Sequence, residues 1–175
     1  MSRAASAATG GGGRKTTSGN VVKLVNKWQH VTPYLEDDFY ISCFVGARLP
    51  EVKTTVTTIR STNISATFKR FYLGPRSSTM SILNQVLPDL GIAEEECMEM
   101  SWIESTVFFS GLSKGSSMSD LRGRYLQGKG FFKEKSDYVR TPISYRGIRA
   151  AVKILEKESK GYVILYPYGG VMHDI

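Results

Sequence analysis

Gly161-Tyr-Val-Ile-Leu-Tyr-Pro-Tyr-Gly-Gly-Val-Met-His-Asp-Ile175 closes the chain, and its reading decides the fold. From Tyr162 to Tyr168 the pattern has a period of two. Tyr162, Ile164, Tyr166 and Tyr168 fall on one face, Val163 and Leu165 on the other, as in a β-strand. Both faces are apolar, which predicts a central strand. Three phenols on one face are more than plain core packing calls for, because a buried tyrosine hydroxyl needs a hydrogen-bond partner. Such a row suits a surface where one end meets water or a ligand. Pro167 withholds a backbone donor, and Gly169-Gly170 permits a sharp bend or a close approach of backbone. A core strand that ends in a turn accounts for the same residues, so the stretch alone leaves both readings open.

Working back from this strand, Ser144 caps a predicted helix that runs to about Ser159. Its inner face carries Ile148, Ala151, Val152 and Leu155; Lys153, Glu156, Lys157 and Lys160 lie outside. Phe131 to Thr141 alternates polar and apolar residues and predicts a strand stopped by Pro142. Leu121 to Leu126 is a short, weakly amphipathic piece, and Gly111 to Asp120 is a loop. Cys97 to Ser101 predicts a strand; Trp102 to Ser110 continues as strand or short helix, which periodicity leaves undecided. Before it, Glu94 to Glu96 form an acidic turn. Ser77 or Ser78 caps a helix over Thr79 to Leu90 whose stripe is Met80, Leu83 and Leu87.

The first half follows the same logic. Val21 to Tyr34 predicts a helix with Val22, Leu24, Val25, Trp28 and Val31 as its stripe, ended by Pro33. Phe39 to Ala47 predicts a strand with Phe39, Ile41, Cys43 and Val45 on one face and Tyr40, Ser42 and Phe44 on the other. That mixed second face has the makeup of a pocket wall. Thr54 to Leu73 is rich in β-branched and aromatic residues and predicts two strands, or one bent strand, broken near Ser61-Thr-Asn63. Strands and helices alternate irregularly, without GxGxxG. The expected class is therefore α+β, an antiparallel or mixed β-sheet with helices packed on one face. Residues 1–20 form a predicted flexible Gly/Ser/Ala-rich leader. Gly10 to Gly13 is no phosphate loop, since no strand precedes it and no Gly-Lys-Ser or Gly-Lys-Thr ends it.

Composition narrows the function. The 175 residues include 23 basic and 16 acidic ones, a net charge of +7, and 41% are hydrophobic. The basic residues are dispersed, with no Lys/Arg run and no RNA-binding signature, so no nucleic-acid partner is expected. No stretch approaches the roughly 20 apolar residues of a membrane span, and Met1 to Ser18 has no apolar signal core. Asn63-Ile-Ser65 is a glycosylation acceptor only if the chain enters the secretory pathway. Cys43 and Cys97 are too few for a disulfide framework and read as small buried residues; with His30 and His173 they make no ligand cluster, so no metal is expected.

Three motifs, Tyr166-Pro-Tyr-Gly-Gly170, Met98-Glu-Met-Ser-Trp-Ile-Glu-Ser105 and Asp137-Tyr-Val139, occur in an order and spacing that resemble one family. It is the plant FAD-linked oxidases of the berberine bridge enzyme type, which include reticuline oxidase-like proteins and the cannabinoid synthases. The similarity runs from about Val21 to Ile175. It implies that 21–175 is a substrate-binding domain, a large antiparallel sheet backed by helices and placed against a flavin. It further implies that Phe44, Phe109, Phe132 and Tyr166 line the substrate pocket. Phe44 stands where some cannabinoid synthases carry a histidine; a phenyl ring cannot hydrogen-bond a carboxylate, which speaks against cannabinoid-like specificity.

In such enzymes an alkaloid, carbohydrate or phenolic alcohol gives a hydride to FAD, which a separate N-terminal domain holds. Residues that take the substrate's protons follow the Tyr-Gly-Gly motif. Neither part has a counterpart in this chain, so the expectation is a fragment of the substrate domain, inactive alone and without bound FAD. The family is secreted or vacuolar. A flavin-free small-molecule binding module and a basic interaction protein are the alternatives. Glu99 is either a buried acid or a strand-edge carboxylate. Lys129, Lys133 and Lys135 beside Phe132 either draw an anionic substrate or line a solvated strand.

Overall fold

Two strands, β3 (Phe39–Gly46) and β5 (Ser65–Tyr72), pair antiparallel along their whole length, from Phe39 opposite Tyr72 to Gly46 opposite Ser65. The other strands are added to this pair in a computed structural model that describes residues 4–8, 14–15, 17–47, 56–60, 64–112, 115–123, 131–158 and 160–173. Gly10 to Gly13, Asn63 and Lys129 lie outside the described residues. The free edge of β3 takes β7 (Tyr162–Leu165), antiparallel, with Phe44 opposite Ile164. The far edge of β5 is shared. β4 (Val56–Arg60) pairs with its first half, and β1 (Ala4–Ala8) pairs with its end at Phe71 and Tyr72. Beyond β4 lies β2 (Arg14–Lys15), parallel to it, and beyond β1 lies β6 (Cys97–Ser101), antiparallel.

The alternation of β3 and β5 dictates where the core sits. Phe39, Ile41, Cys43 and Val45 point to one face with Ala66, Phe68 and Arg70, and all seven are buried. Onto that face pack α1 (Ser18–Val31), α2 (Arg76–Val86) and α4 (Tyr145–Leu155), which bring Val21, Leu24, Val25 and Trp28, Leu83, and Ile148, Val152 and Leu155. The α4 residues fall at i, i+4 and i+7, so one stripe reaches the core while Arg149 and Lys153 face water. Each such aliphatic side chain contributes about 1.5–3 kcal/mol on burial. Trp28 Nε1–H donates to the Ile41 carbonyl, 2.9 Å away, so the buried indole leaves no orphan donor. Arg70 is 1% exposed, and burial pushes its guanidinium down to about 10.

The fold is the α+β arrangement of a largely antiparallel sheet with helices behind it, and helix ends carry local signatures. Ser144 caps α4 by accepting from the Gly147 amide at 3.1 Å, and Thr17 caps α1 through the Asn20 amide. Trp102 to Phe109 is helix, α3, because Ser101 and Glu104 close a capping box at its start. This helix departs from the one-sided layer and lies over the opposite face near β6.

Five expectations are corrected. The 1–20 leader contains β1 and β2; alanine-rich, low-complexity sequence carries no periodicity, yet Ala4–Ala8 fills the gap between β5 and β6. β7 is an edge strand among the described residues, pairing with β3 alone, and stops at Leu165, since Pro167 cannot extend the ladder. Phe131 to Thr141 forms no strand: among the described residues no ladder pairs it, and Phe131, Phe132 and Tyr138 lie on the surface. The loop expected from Gly111 to Asp120 ends in a 3-10 turn, Met118 to Arg122, which takes in the start of the Leu121–Leu126 piece; residues 124–126 lie outside the described residues. Finally, α2 starts at Arg76 after Pro75, without a serine cap. Glu99, exposed on β6, accepts from the Arg76 amide at 3.1 Å and puts a carboxylate at the positive end of that helix.

Candidate functional site

The sheet face away from the helical core carries the odd set of side chains: Tyr40, Ser42 and Phe44 from β3, and Thr67, Lys69 and Phe71 from β5. Register sets them in rows, with Tyr40 opposite Phe71, Ser42 opposite Lys69 and Phe44 opposite Thr67. Ile164 of β7 extends the last row beside Phe44. Past the end of β7, Tyr166 and Tyr168 stand at the Tyr40 end; their phenols, with burial, push the Tyr40 hydroxyl above its ordinary value. Burial is the larger cause, and a side-chain hydrogen bond from Ser42 works against it.

Glycines hold this end in place. A Cβ on Gly169 would run into the Pro33 backbone, and one on Gly170, whose φ is +55°, would strike the Asp37 carboxylate. The chain after β7 thus lies tight against the turn that ends α1, the close approach anticipated from Gly169-Gly170. Tyr138 meets Tyr168 with ring centres 5.9 Å apart, which joins the Asp137-Tyr-Val139 motif to the Tyr166-Pro-Tyr-Gly-Gly170 motif.

On the β1 and β6 side of the same row, α3 adds aromatic rings. Trp102 and Phe109 both stand edge-on to Phe71, at 5.8 and 5.7 Å, and Phe108 packs on Phe109 at 5.0 Å. The Met98–Ser105 motif therefore turns from β6 into α3 and places Trp102 against the same sheet face.

Of the four residues singled out in the sequence, Phe44, Phe109 and Tyr166 belong to this face. Phe44 is half-buried, and Tyr166 and Phe109 are 50% and 43% exposed. Phe132 is 82% exposed on the irregular segment and contacts none of the other three rings among the described residues. The lysines beside it, Lys133 and Lys135, are also on the surface, with no strand to align them. Tyr40, Lys69, Phe71 and Trp102 were not singled out as site residues. The signal for three of them lay in the alternation of β3 and β5, which puts Tyr40, Lys69 and Phe71 on the face of Phe44.

The thiols are core groups. Cys43 is fully buried, which pushes its thiol far up; Cys97 is raised by burial and lies 3.3 Å from the Met80 sulfur. Among the described residues no group of His, Cys, Asp and Glu is placed to hold a metal ion, and no helix is long and apolar enough to cross a membrane.

This combination of sheet, backing helices and aromatic face has close counterparts. No protein-family profile matches the chain. Berberine bridge enzyme-like D-1 of Nicotiana tabacum is 48% identical over 158 residues, which cover 89% of this chain and 27% of that protein. A single-residue variant of berberine bridge enzyme superposes with a TM-score of 0.80 at 28% identity, over 98% of this chain and 32% of its own. Another, in complex with (S)-reticuline, gives 0.75 at 26% identity, over 98% and 31%. In sequence and fold the chain belongs to the berberine bridge enzyme-like family. It spans less than a third of the length of these relatives.

Proposed function

We propose that the aromatic sheet face is the substrate-side wall of a berberine bridge enzyme-like oxidase. In that reading a small aromatic molecule lies against Phe44, Phe109 and Tyr166 while a flavin takes its hydride. The observation that carries this is the convergence of Tyr40, Phe44, Phe71, Phe109 and Tyr166 on the face opposite the helical core, partly exposed together. Aromatic rings left open in this number mark a surface that binds something. Support also comes from a solved relative that holds (S)-reticuline, a small aromatic molecule, on the same fold. Phe132 joins the wall only if the segment carrying it folds over the face.

FAD does not fit the described residues. A dinucleotide's pyrophosphate needs a cradle of backbone N–H groups at a helix start. β5 runs into α2 through Leu73-Gly74-Pro75, with a proline at the cap, and β6 runs into α3 with no loop between them. The chain's part in the chemistry is therefore to bind and orient substrate, with the flavin held by other residues of a longer protein.

Purified 1–175 tests both halves of the proposal. It should show no flavin absorbance and should bind a neutral two-ring aromatic alcohol such as naphthylmethanol, quenching its fluorescence. Paired Phe109→Ala and Tyr166→Ala substitutions should abolish binding. A yellow protein with stoichiometric FAD would overturn the assignment of the flavin to other residues, and absence of any aromatic binding would overturn the wall.

A further inference from the structure

One cation stands in the middle of the aromatic wall. Lys69 sits on the open face of β5, between Thr67 and Phe71 along its strand and opposite Ser42 on β3. Its ammonium lies 4.4 Å from the centre of the Phe44 ring, so the side chain leans across the sheet and holds its charge over the phenyl face. Among the described residues no carboxylate reaches it, and the ring is the partner it has. Ser42, its cross-strand neighbour, is buried and its hydroxyl is bonded to Tyr40.

That arrangement is unlike Lys153 of α4, which lies on the surface. A lysine stem on a sheet face can carry its ammonium clear of apolar groups, yet here the head stays among them. Burial lowers its proton affinity, so the charge is held at a cost that an incoming anion would relieve. Around it the face is aromatic: Phe44 lies under the ammonium, and Tyr40 and Tyr166 stand close enough to each other to interact electrostatically. A half-buried cation set among aromatic rings matches an arene bearing one carboxylate.

We propose that Lys69 is a specificity-determining residue of the wall, pairing with the carboxylate of an aromatic acid whose ring lies against the same face. This rests on the wall being a substrate face and names the class of substrate it takes. It also gives Phe44 a definite part. The ring cannot hydrogen-bond a carboxylate itself, but it positions the ammonium that can, and Phe44→Leu removes the cation–π contact without removing the charge.

The test compares naphthoate with naphthylmethanol on the 1–175 chain, two probes with the same ring system, one anionic and one neutral at neutral pH. Wild type should bind the acid about tenfold or more tightly than the alcohol, an advantage for a partly exposed pair that shrinks as salt is raised. Lys69→Met should reduce the preference to within about twofold, and Lys69→Arg should keep most of it. The salt dependence of wild type serves as an independent readout if Lys69→Met fails to fold. Binding of both probes with equal affinity, insensitive to salt, overturns the role of Lys69 and leaves the wall standing. Failure to bind either probe overturns both.

Discussion

The side-chain amide of Gln29 bonds both backbone groups of Ile143: Nε2–H donates to the Ile143 carbonyl and Oε1 accepts from the Ile143 N–H, each at 2.8 Å. A side chain on α1 thus imitates a strand neighbour for the residue that enters α4. Ile143 precedes the Ser144 cap, and Ile148 four residues beyond that cap lies in the core. These are the positions of a hydrophobic staple, so the amide fixes the angle at which α4 docks.

Gln29→Leu removes both bonds at once and leaves two half-buried backbone groups without a partner. The expected loss is about 1–2 kcal/mol in urea unfolding, toward the lower part of the range for orphaned polar groups because water reaches the site. Gln29→Glu keeps the acceptor and loses the donor, so it should fall between wild type and the leucine variant. A leucine variant as stable as wild type would mean that α4 docks by its apolar stripe alone.

Gly169 and Gly170 give a second prediction, one of local rather than global stability. A methyl at Gly169 meets the Pro33 backbone, which cannot step aside, and a methyl at Gly170 meets both Asp37 and a left-handed φ. Gly169→Ala should lift the segment after β7 from the α1 turn while the core of β3 and β5 stays folded. Amides beyond Tyr166 should then exchange about tenfold faster, with little change elsewhere. Uniform acceleration across the sheet would show that this segment is part of the cooperative core.

How much of this was legible in the sequence follows from the range of the forces involved. The Trp28 stripe, the β3 alternation and the Ser144 cap depend on neighbours within a few residues, and each was readable. Ala4–Ala8 was not, because a short alanine run becomes a strand only when β5 and β6 leave a slot for it. Phe131 to Thr141 shows the reverse: it alternates as a strand does, but a strand also needs an unpaired edge beside it. At the site, Phe44 and Tyr166 were named from the family resemblance; that they come to one face is set by the pairing of β3 with β7. Lys69 was passed over, since its meaning depends on which residue lies opposite, and Ser42↔Lys69 register is a tertiary fact.

Alkaline pH should expose the burial of Cys43. Burial raises the folded-state thiol pKa well above its ordinary 9.0, so the folded chain keeps a proton that the unfolded chain releases. The folded state then binds more protons, and stability from this group is complete below about pH 9 and declines above it. The slope is at most about 1.4 kcal/mol per pH unit. Cys43→Ala should begin less stable, having lost a buried sulfur, yet lose stability more slowly on the alkaline side. Equal slopes for the two proteins, measured by urea unfolding at stepped pH, would remove Cys43 as the cause.

Tyr166 decides between a wall and a core. Its ring is 50% exposed and it sits one residue past the end of β7, where its hydroxyl can reach water. Tyr166→Phe should therefore change unfolding free energy by no more than about 0.5 kcal/mol, as substitutions at open positions do. Tyr162→Phe, at 54% exposure on the same strand face, should behave alike. Trp28→Phe is the contrasting case: the indole is buried, and its bond to the Ile41 carbonyl is lost together with part of its volume. That variant should lose about 2 kcal/mol or more. The wall reading requires Tyr166→Phe to follow Tyr162→Phe and not Trp28→Phe. A loss above about 1 kcal/mol for Tyr166→Phe would place its hydroxyl in a bonded, buried setting and remove that residue from the wall.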